Sequence, residues 1–138
     1  MAFGAALTAG GMTDGITRLF TKIARGRIST VASTVLSGVT LNVTTSDQYI
    51  SILLTGSVFR GIYSKNKLEH RLLSRATEDS ATVTSVLIPW NSCGMVQSTV
   101  LGVATLTYLP FCFFNILSPL MSILVATTGY KIEVKNEE

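Results

Sequence analysis

Long apolar blocks separated by short polar connections make up most of this chain of 138 residues. Several blocks are rich in β-branched residues, a composition that favours strands in water. In lipid, however, the edge of an open sheet has no hydrogen-bond partner, so helices are the default. The pattern therefore predicts an all-α protein whose helices follow the apolar blocks at 2–16, 28–45, 48–63, 81–104 and 106–128.

The length of each apolar block indicates whether it can form a complete membrane span. A helix that crosses a bilayer needs about 20 residues, and the block 106–128 reaches that length. The blocks 28–45 and 48–63 are shorter, so each is either a short tilted helix or one arm of a re-entrant hairpin. Proline interrupts the block 81–104 near its centre, which predicts at least one discontinuous helix.

Composition strengthens the membrane interpretation. The chain is 47% hydrophobic and 14% charged, whereas a soluble domain has about 25% charged residues. A soluble chain this short still has much surface to cover with polar groups. We therefore predict a multi-pass integral membrane protein with about four spans, in which residues 1–138 form a single membrane domain.

The same composition excludes several other classes of protein. The formal charge of +3 arises from basic residues that do not alternate with aromatic ones, so no nucleic-acid partner is predicted. The sequence has no HExxH, P-loop or GxSxG motif, and we predict that the protein is not an enzyme. Cys93 and Cys112 lie inside apolar runs, which indicates reduced thiols and neither a disulfide nor a zinc site.

The placement of positive charge predicts the topology. All eleven Lys and Arg residues fall within 17–27, 60–80 and the tail 129–138. Because cytoplasmic loops are enriched in Lys and Arg, these three segments are predicted to be cytoplasmic, the C-terminus included. Within the second segment, residues 64–80 have leucines at helical spacing between charges, so we expect a cytoplasmic amphipathic loop in which His70 is solvated.

The string "IPWNSCG" breaks the fourth apolar block. Pro89 removes a backbone hydrogen bond, and unwound segments of many secondary transporters bind Na⁺ through carbonyls and short polar side chains. Asn91 and Ser92 are then candidate ion ligands, and Gly94 lets the helix restart. The alternative is an ordinary kink, in which Asn91 caps the second half-helix and Trp90 anchors the chain at the membrane interface.

Asp47 lies in "NVTTSDQY" between two apolar blocks. An ionisable group at membrane depth costs about 2.5–3.5 kcal/mol on insertion scales and is a functional hypothesis by default. Oxygen-rich neighbours suit a hard cation, so we predict that Asp47, with Thr44 and Ser46, binds either Na⁺ or a proton. The alternative is that Asp47 lies in an exposed turn on the outer side.

Glu78 and Asp79 precede the interrupted block. They are either a solvated pair at a helix start, extended by Ser80 and Thr82 as caps, or an ion-entry pair at the cytoplasmic mouth of the transporter.

Three stretches resemble the C-terminal part of the NhaC-type Na⁺/H⁺ antiporters. They are "TSDQYISILLTG", "LSRATEDSATVTSVLIPWNSCG" and "TLTYLPFCFFNILSPLMSILVATTG", in that order, and the resemblance runs from about residue 30 to 130. The opening "FGAALTAGGM" is similar to a further segment of the family. It departs from that segment at Thr8, where the family pattern has an acidic residue.

This resemblance implies exchange of Na⁺ for H⁺ across the cell membrane, with no cofactor beyond the transported ions. It adds Glu78, Asp79, Ser80 and Thr82 to the residues of the ion path. Since the family's proteins are several times longer, the chain is expected to be a fragment of an inverted-repeat transporter. Its partners would be the lipid bilayer and either the N-terminal half or a second copy. Two alternatives are a malate/lactate-type carboxylate exchanger and a non-transporting truncated membrane remnant.

Overall fold

The computed structural model describes residues 9–24 and 26–128, and the regular secondary structure in that part of the chain is helical, as predicted. Thr8 and the tail 129–138 lie outside the described residues. The α-helices are α1 (Met12–Ile23), α2 (Arg27–Thr45), α3 (Gln48–Lys65), α4 (His70–Thr77), α5 (Ser92–Leu101), α6 (Thr105–Tyr108) and α7 (Phe113–Thr128). A π-helical turn (Glu78–Thr82) and 3₁₀ turns (Ser85–Leu87 and Leu109–Phe111) lie between them.

Helices α2 and α3 form an antiparallel hairpin connected by residues 46–47. Near the connection, the hydroxyls of Thr45 and Ser51 lie 2.9 Å apart. At the other end of the hairpin, Asn66 Nδ2 donates to Thr30 Oγ1 at 2.7 Å. Contacts at both ends fix the register of the two helices, so the two shorter apolar blocks are paired helices.

The interior of this bundle is unusually polar. Buried residues include many with hydroxyl, amide or carboxylate groups, among them Thr34, Asn42, Asp47, Thr55 and Asn91. A smaller apolar core around Phe59 and Tyr63 accompanies them. Many large apolar side chains lie on the outside, including Leu53, Val100, Leu106, Phe111 and Phe114. In a soluble protein a large exposed apolar surface marks a contact with another molecule or a membrane. This distribution fits lipid as the surrounding solvent.

The segment 64–80 is less regular than predicted. Helix α3 continues to Lys65, and Lys67 has a φ of 54°, which prevents the chain from continuing as one helix. The helical part is therefore α4 alone, which is eight residues long. Leu68, outside α4, and Leu73, inside it, are both buried, while His70 is exposed, as predicted.

The longest apolar block is not one straight helix. Pro110 lies in the 3₁₀ turn that separates α6 from α7, and the two parts meet at an angle of 60°. Within the described residues, this bent pair has the length and apolar composition of a span, whereas no helix by itself does. Helices α2 and α3 are long enough, but their many polar residues make them too hydrophilic. The expected four spans remain a prediction.

The interrupted block is discontinuous, as the sequence predicts. Helix α4 runs directly into the π-helical turn, a 3₁₀ turn follows, and Ile88 is extended with φ −100° and ψ 116°. Helix α5 then begins at Ser92. A Cβ atom on Gly94 would collide with the carbonyl oxygen of Ile88, so glycine is needed because the new helix passes close to the backbone that precedes it.

Replacing Gly94 by alanine is expected to destabilise the protein, since the added methyl group meets backbone rather than a movable side chain. Overpacking of this kind costs about 1–3 kcal/mol. Gly61→Ala is the matched control, because a Cβ atom there has no neighbour within 4 Å. Thermal unfolding in detergent should show a lower midpoint for Gly94→Ala and an unchanged or higher one for Gly61→Ala. Equal midpoints would contradict the close approach.

Candidate functional site

The two interruptions of the chain meet in space. The backbone N–H of Ser92 donates to the carbonyl of Ser46 at 3.1 Å. Next to it, Trp90 Nε1 donates to the carbonyl of Val43 at 2.8 Å. The last carbonyls of a helix lack partners within that helix, so the broken segment supplies donors to the C-terminal end of α2. We call this meeting point of residues 42–48 and 88–93 the junction.

Asp47 is buried at the junction, with 4% of its surface exposed. Its Oδ1 accepts hydrogen bonds from the backbone N–H of Tyr49 at 2.9 Å and of Ile50 at 3.3 Å, which makes Asp47 the N-cap of α3. Both bonds use one oxygen, so the cap does not require Oδ2. The position is not the exposed turn that the sequence left open.

The hydroxyl that faces the junction belongs to Thr45 rather than to Thr44. Thr44 Oγ1 donates to the carbonyls of Thr40 and Leu41, within its own helix. Thr45 Oγ1 also donates within its helix, to the carbonyl of Leu41 at 2.8 Å, but in addition it lies 3.1 Å from the carbonyl of Asp47. Of the predicted ion ligands in this turn, Ser46 places its backbone carbonyl at the junction and Asp47 places its carboxylate there.

Two buried amides connect the broken segment to α2. Asn91 Oδ1 accepts from the backbone N–H of Cys93 at 3.1 Å and caps α5, while its Nδ2 donates to the carbonyl of Asn42 at 3.4 Å. Asn42 Nδ2 in turn donates to the carbonyl of Ala81 and to Thr84 Oγ1. Asn91 therefore acts both as the cap expected of a kink and as a bridge to the hairpin.

Gln48 is a further junction residue that the sequence did not single out. Its Oε1 accepts from Ser85 Oγ at 3.1 Å and from the thiol of Cys93 at 2.7 Å. The first turn of α3 is thereby bonded to both sides of the break. The position of Gln48 next to Asp47 was the only sign of this role in the sequence. Its partners Ser85 and Cys93 lie 37 and 45 residues away, so spacing along the chain could not predict them.

The structure separates Glu78 from Asp79. Asp79 is half-buried, and its carboxylate accepts from Ser118 Oγ at 3.2 Å and from Ser122 Oγ, both on α7. Glu78 is exposed and lines a groove of about 510 Å³ between α3 and α4, together with Arg60, His70, Thr77 and Thr82. Since α4 continues directly into the π-helical turn, no helix starts here. The alternative of a solvated helix-start pair therefore does not hold, and the role of the two carboxylates in the ion path stays a prediction.

Ser80 and Thr82, the expected caps, lie on different sides of this turn. Ser80 is buried and donates to the carbonyl of Ala76 at 2.6 Å. Thr82 faces the groove. At the break, Pro89 is half-buried and Trp90 keeps 55% of its surface exposed.

The junction offers a hard cation one carboxylate and several neutral oxygens. Groups of three or more His, Cys, Asp or Glu residues that could hold a metal ion do not occur among the described residues. Carbonyl, hydroxyl and carboxylate oxygens suit Na⁺ better than a transition metal, which prefers nitrogen or sulfur ligands. The predicted Na⁺ ligand Asp47 thus lies among atoms of suitable chemistry.

Comparison with known proteins gives consistent matches. The model of the Na⁺/H⁺ antiporter family matches residues 1–130. The Na⁺/H⁺ antiporter NhaC of Bacillus subtilis is 41% identical over 101 residues, which cover 73% of this chain and 22% of that protein. NhaC of Alkalihalophilus pseudofirmus is 40% identical over 119 residues, covering 86% of this chain and 26% of that protein.

The arginine/ornithine antiporter ArcD of Halobacterium salinarum is similar to the same degree. It is 40% identical over 105 residues, which cover 76% of this chain and 22% of that protein. The chain thus spans about a quarter of the length of the curated relatives it matches. No solved structure matches it.

Two substitutions at Asp47 separate its structural role from its charge. Asn caps helices as well as Asp does, whereas Ala at an N-cap costs about 0.5–2 kcal/mol. We therefore expect Asp47→Asn to unfold at nearly the wild-type temperature and Asp47→Ala to unfold earlier, as measured in detergent. If Asp47→Asn were as unstable as Asp47→Ala, the carboxylate charge itself would be holding the hairpin.

Proposed function

This chain belongs to the Na⁺/H⁺ antiporter family, and from that premise we propose that it is part of a larger transporter that exchanges Na⁺ for H⁺ across the cell membrane. The observation that supports the proposal is the burial of Asp47 where two chain interruptions meet. A buried charged carboxylate is costly unless it is paired or neutralised. A bound Na⁺ or a bound proton neutralises it, and the two compete for the same oxygen atoms.

Exchange follows from this competition. When Na⁺ occupies the junction, Asp47 must be deprotonated, and when the proton is bound the cation is released. A transporter that opens the site to one side and then to the other converts this alternation into antiport. The residues that place the site need not touch the ion. Asn91 and Ser92 hold the break against α2, so we assign them a positioning role.

The neutral ligands would come from groups that adjoin Asp47. The Ser46 carbonyl accepts one hydrogen bond from Ser92, and a carbonyl oxygen has two lone pairs. The hydroxyls of Thr45 and Ser51 and the amide oxygen of Gln48 lie on the same turns. Glu78 and Thr82 in the groove would form the entry of the ion path.

The apolar exterior supports a location in the membrane, with lipid as one partner and the remaining part of the transporter, or a second copy, as the other. The basic groups within 17–27, 60–80 and 129–138 support a cytoplasmic position for those segments and for the C-terminus.

Amino-acid exchange is a second candidate, because the arginine/ornithine antiporter matches this chain as well as one Na⁺/H⁺ antiporter does. Counterflow of labelled arginine and ornithine into loaded vesicles tests this second candidate. Labelled malate and lactate test the carboxylate exchanger that the sequence left as an alternative. Uptake of an organic substrate without Na⁺-driven proton movement would favour this second candidate.

Asp47→Asn is expected to slow Na⁺/H⁺ exchange strongly, because an amide binds neither a proton nor Na⁺ as a carboxylate does. The measurement is Na⁺-dependent pH dequenching in everted membrane vesicles that carry the complete transporter. Glu69→Gln is the control, since Glu69 precedes α4 and is remote in sequence from the junction.

We expect Glu69→Gln to retain exchange and Asp47→Asn, at equal abundance in the membrane, to lose at least about tenfold in rate, equivalent to about 1.4 kcal/mol. Exchange at the wild-type rate in Asp47→Asn would remove Asp47 from the mechanism.

A further inference from the structure

A second set of buried polar side chains continues from the junction into the bundle. We call it the interior polar row, and its members are Asn42, Thr55, Thr77, Ser80 and Thr84. None of these residues has more than 6% of its surface exposed. They come from α2, from α3 and from the segment that runs from Thr77 at the end of α4, through the π-helical turn, to Thr84.

The order of the row follows from the contacts between these elements. Asn42 bonds to Thr84, and a Cβ atom on Gly38 would touch Ser80 Oγ. Residue 38 lies opposite residue 80 and residue 42 opposite residue 84, so α2 and the segment 77–84 run in the same direction. Thr77, one turn before Ser80, is therefore the member farthest from the junction.

Thr55 lies across the hairpin from the Asn42 end of the row. The pairs Thr45–Ser51 and Thr30–Asn66 fix the antiparallel register of α2 and α3. That register places Thr55 at the level of residues 41–42. The side chain of Thr55 is fully buried and belongs to the same stripe of α3 as Ser51.

Three members of the row carry an oxygen that has no hydrogen-bond partner among the described residues: Asn42 Oδ1, Thr55 Oγ1 and Thr77 Oγ1. More than about 90% of buried polar groups in proteins have a partner, and a buried polar atom left without one is destabilising. Water and a small cation are the species that would satisfy these unpartnered oxygens.

The far end of the row reaches the groove. Thr77 belongs both to the row and to the groove lining, where Glu78 and Thr82 are its neighbours. The row thus lies between a groove that carries a carboxylate and the buried carboxylate of Asp47.

We propose that the interior polar row is a narrow hydrated route by which water and a small monovalent cation pass between the groove and Asp47. The proposal rests on the function proposed above, and it assigns a transit role to Thr77, Thr55 and Asn42. A Cβ atom on Gly38 would collide with Ser80 Oγ, so α2 and the π-helical turn approach closely beside the row, which favours a small cation over an organic substrate.

Silver ion tests the route directly, because Ag⁺ is a small monovalent cation that reacts with thiols. The experiment places cysteine at Thr55 or Thr77 in a Cys93→Ser, Cys112→Ser background of the complete transporter, and each rate is expressed relative to this background, in which serine keeps a donor to Gln48 Oε1. Leu53→Cys is the matched control, since Leu53 lies on the same helix as Thr55 but is 70% exposed on the apolar exterior.

Ag⁺ added from the groove side is expected to block exchange in Thr55→Cys and Thr77→Cys, and excess Na⁺ should slow the block. Leu53→Cys should keep its exchange rate. If Thr77→Cys reacts and Thr55→Cys does not, the route ends at the groove and the proposal is wrong. If neither reacts while the parent protein still exchanges Na⁺, the route fails but the proposed antiport stands.

Removal of one hydroxyl gives an independent measurement that uses no thiol. Thr55→Val keeps the shape of the side chain, and Thr55→Ser keeps the hydroxyl. We expect Thr55→Val to lower the exchange rate about tenfold through the loss of one oxygen partner, with Thr55→Ser near wild type and Na⁺ binding at equilibrium unchanged in both. Equal rates in the two variants would overturn the transit role of Thr55.

Discussion

Within lipid, every backbone polar group needs a hydrogen-bond partner in the protein. Here two interruptions of the chain lie side by side, and the free donors of one bond to the free acceptors of the other. The carbonyl of Ser46 and the N–H of Ser92 form the central bond of this arrangement. The bonds from Trp90 to α2 and from Asn91 to α2 extend it on both sides. An interruption that would be expensive on its own becomes a stable feature, and the carboxylate of Asp47 is buried as a consequence.

The helical hairpin and the π-helical turn hold these two chain breaks in place. Helices α2 and α3 bury hydroxyls such as those of Thr45 and Ser51 between them and expose Leu36 and Leu53, so polar groups extend along part of the hairpin interior. The π-helical turn brings Asp79 against the two serines of α7 and Ser80 against Gly38. Turns of π-helix occur frequently at functional sites. Here the turn separates a groove-facing carboxylate, Glu78, from a carboxylate that fastens α7.

The apolar pattern was sufficient to predict a helical protein, the two helices near 28–45 and 48–63 and the discontinuity at Pro89, because these depend on local periodicity and on the chemistry of proline. It did not predict α1, which runs from Met12 to Ile23 and so extends through most of the expected loop 17–27. Contacts between distant residues were not predictable. Thr44 and Thr45 are neighbouring residues of the same type, and only the rotation of α2 about its axis decides that Thr45 faces the junction. Likewise, the partners of Asp79 lie about 40 residues away on α7. The bend at Pro110 reduced the longest apolar block to two shorter helices, an outcome that hydropathy does not reveal.

The central claim is that Na⁺ and a proton compete for one buried carboxylate, and equilibrium binding of radioactive Na⁺ to the purified complete transporter tests it most directly. If they compete, the apparent dissociation constant for Na⁺ should rise by up to about tenfold for each unit that the pH falls, through linkage between the two ligands. Asp47→Asn should lose this dependence together with the binding. An affinity for Na⁺ that stays the same at every pH where the protein remains folded would contradict the account.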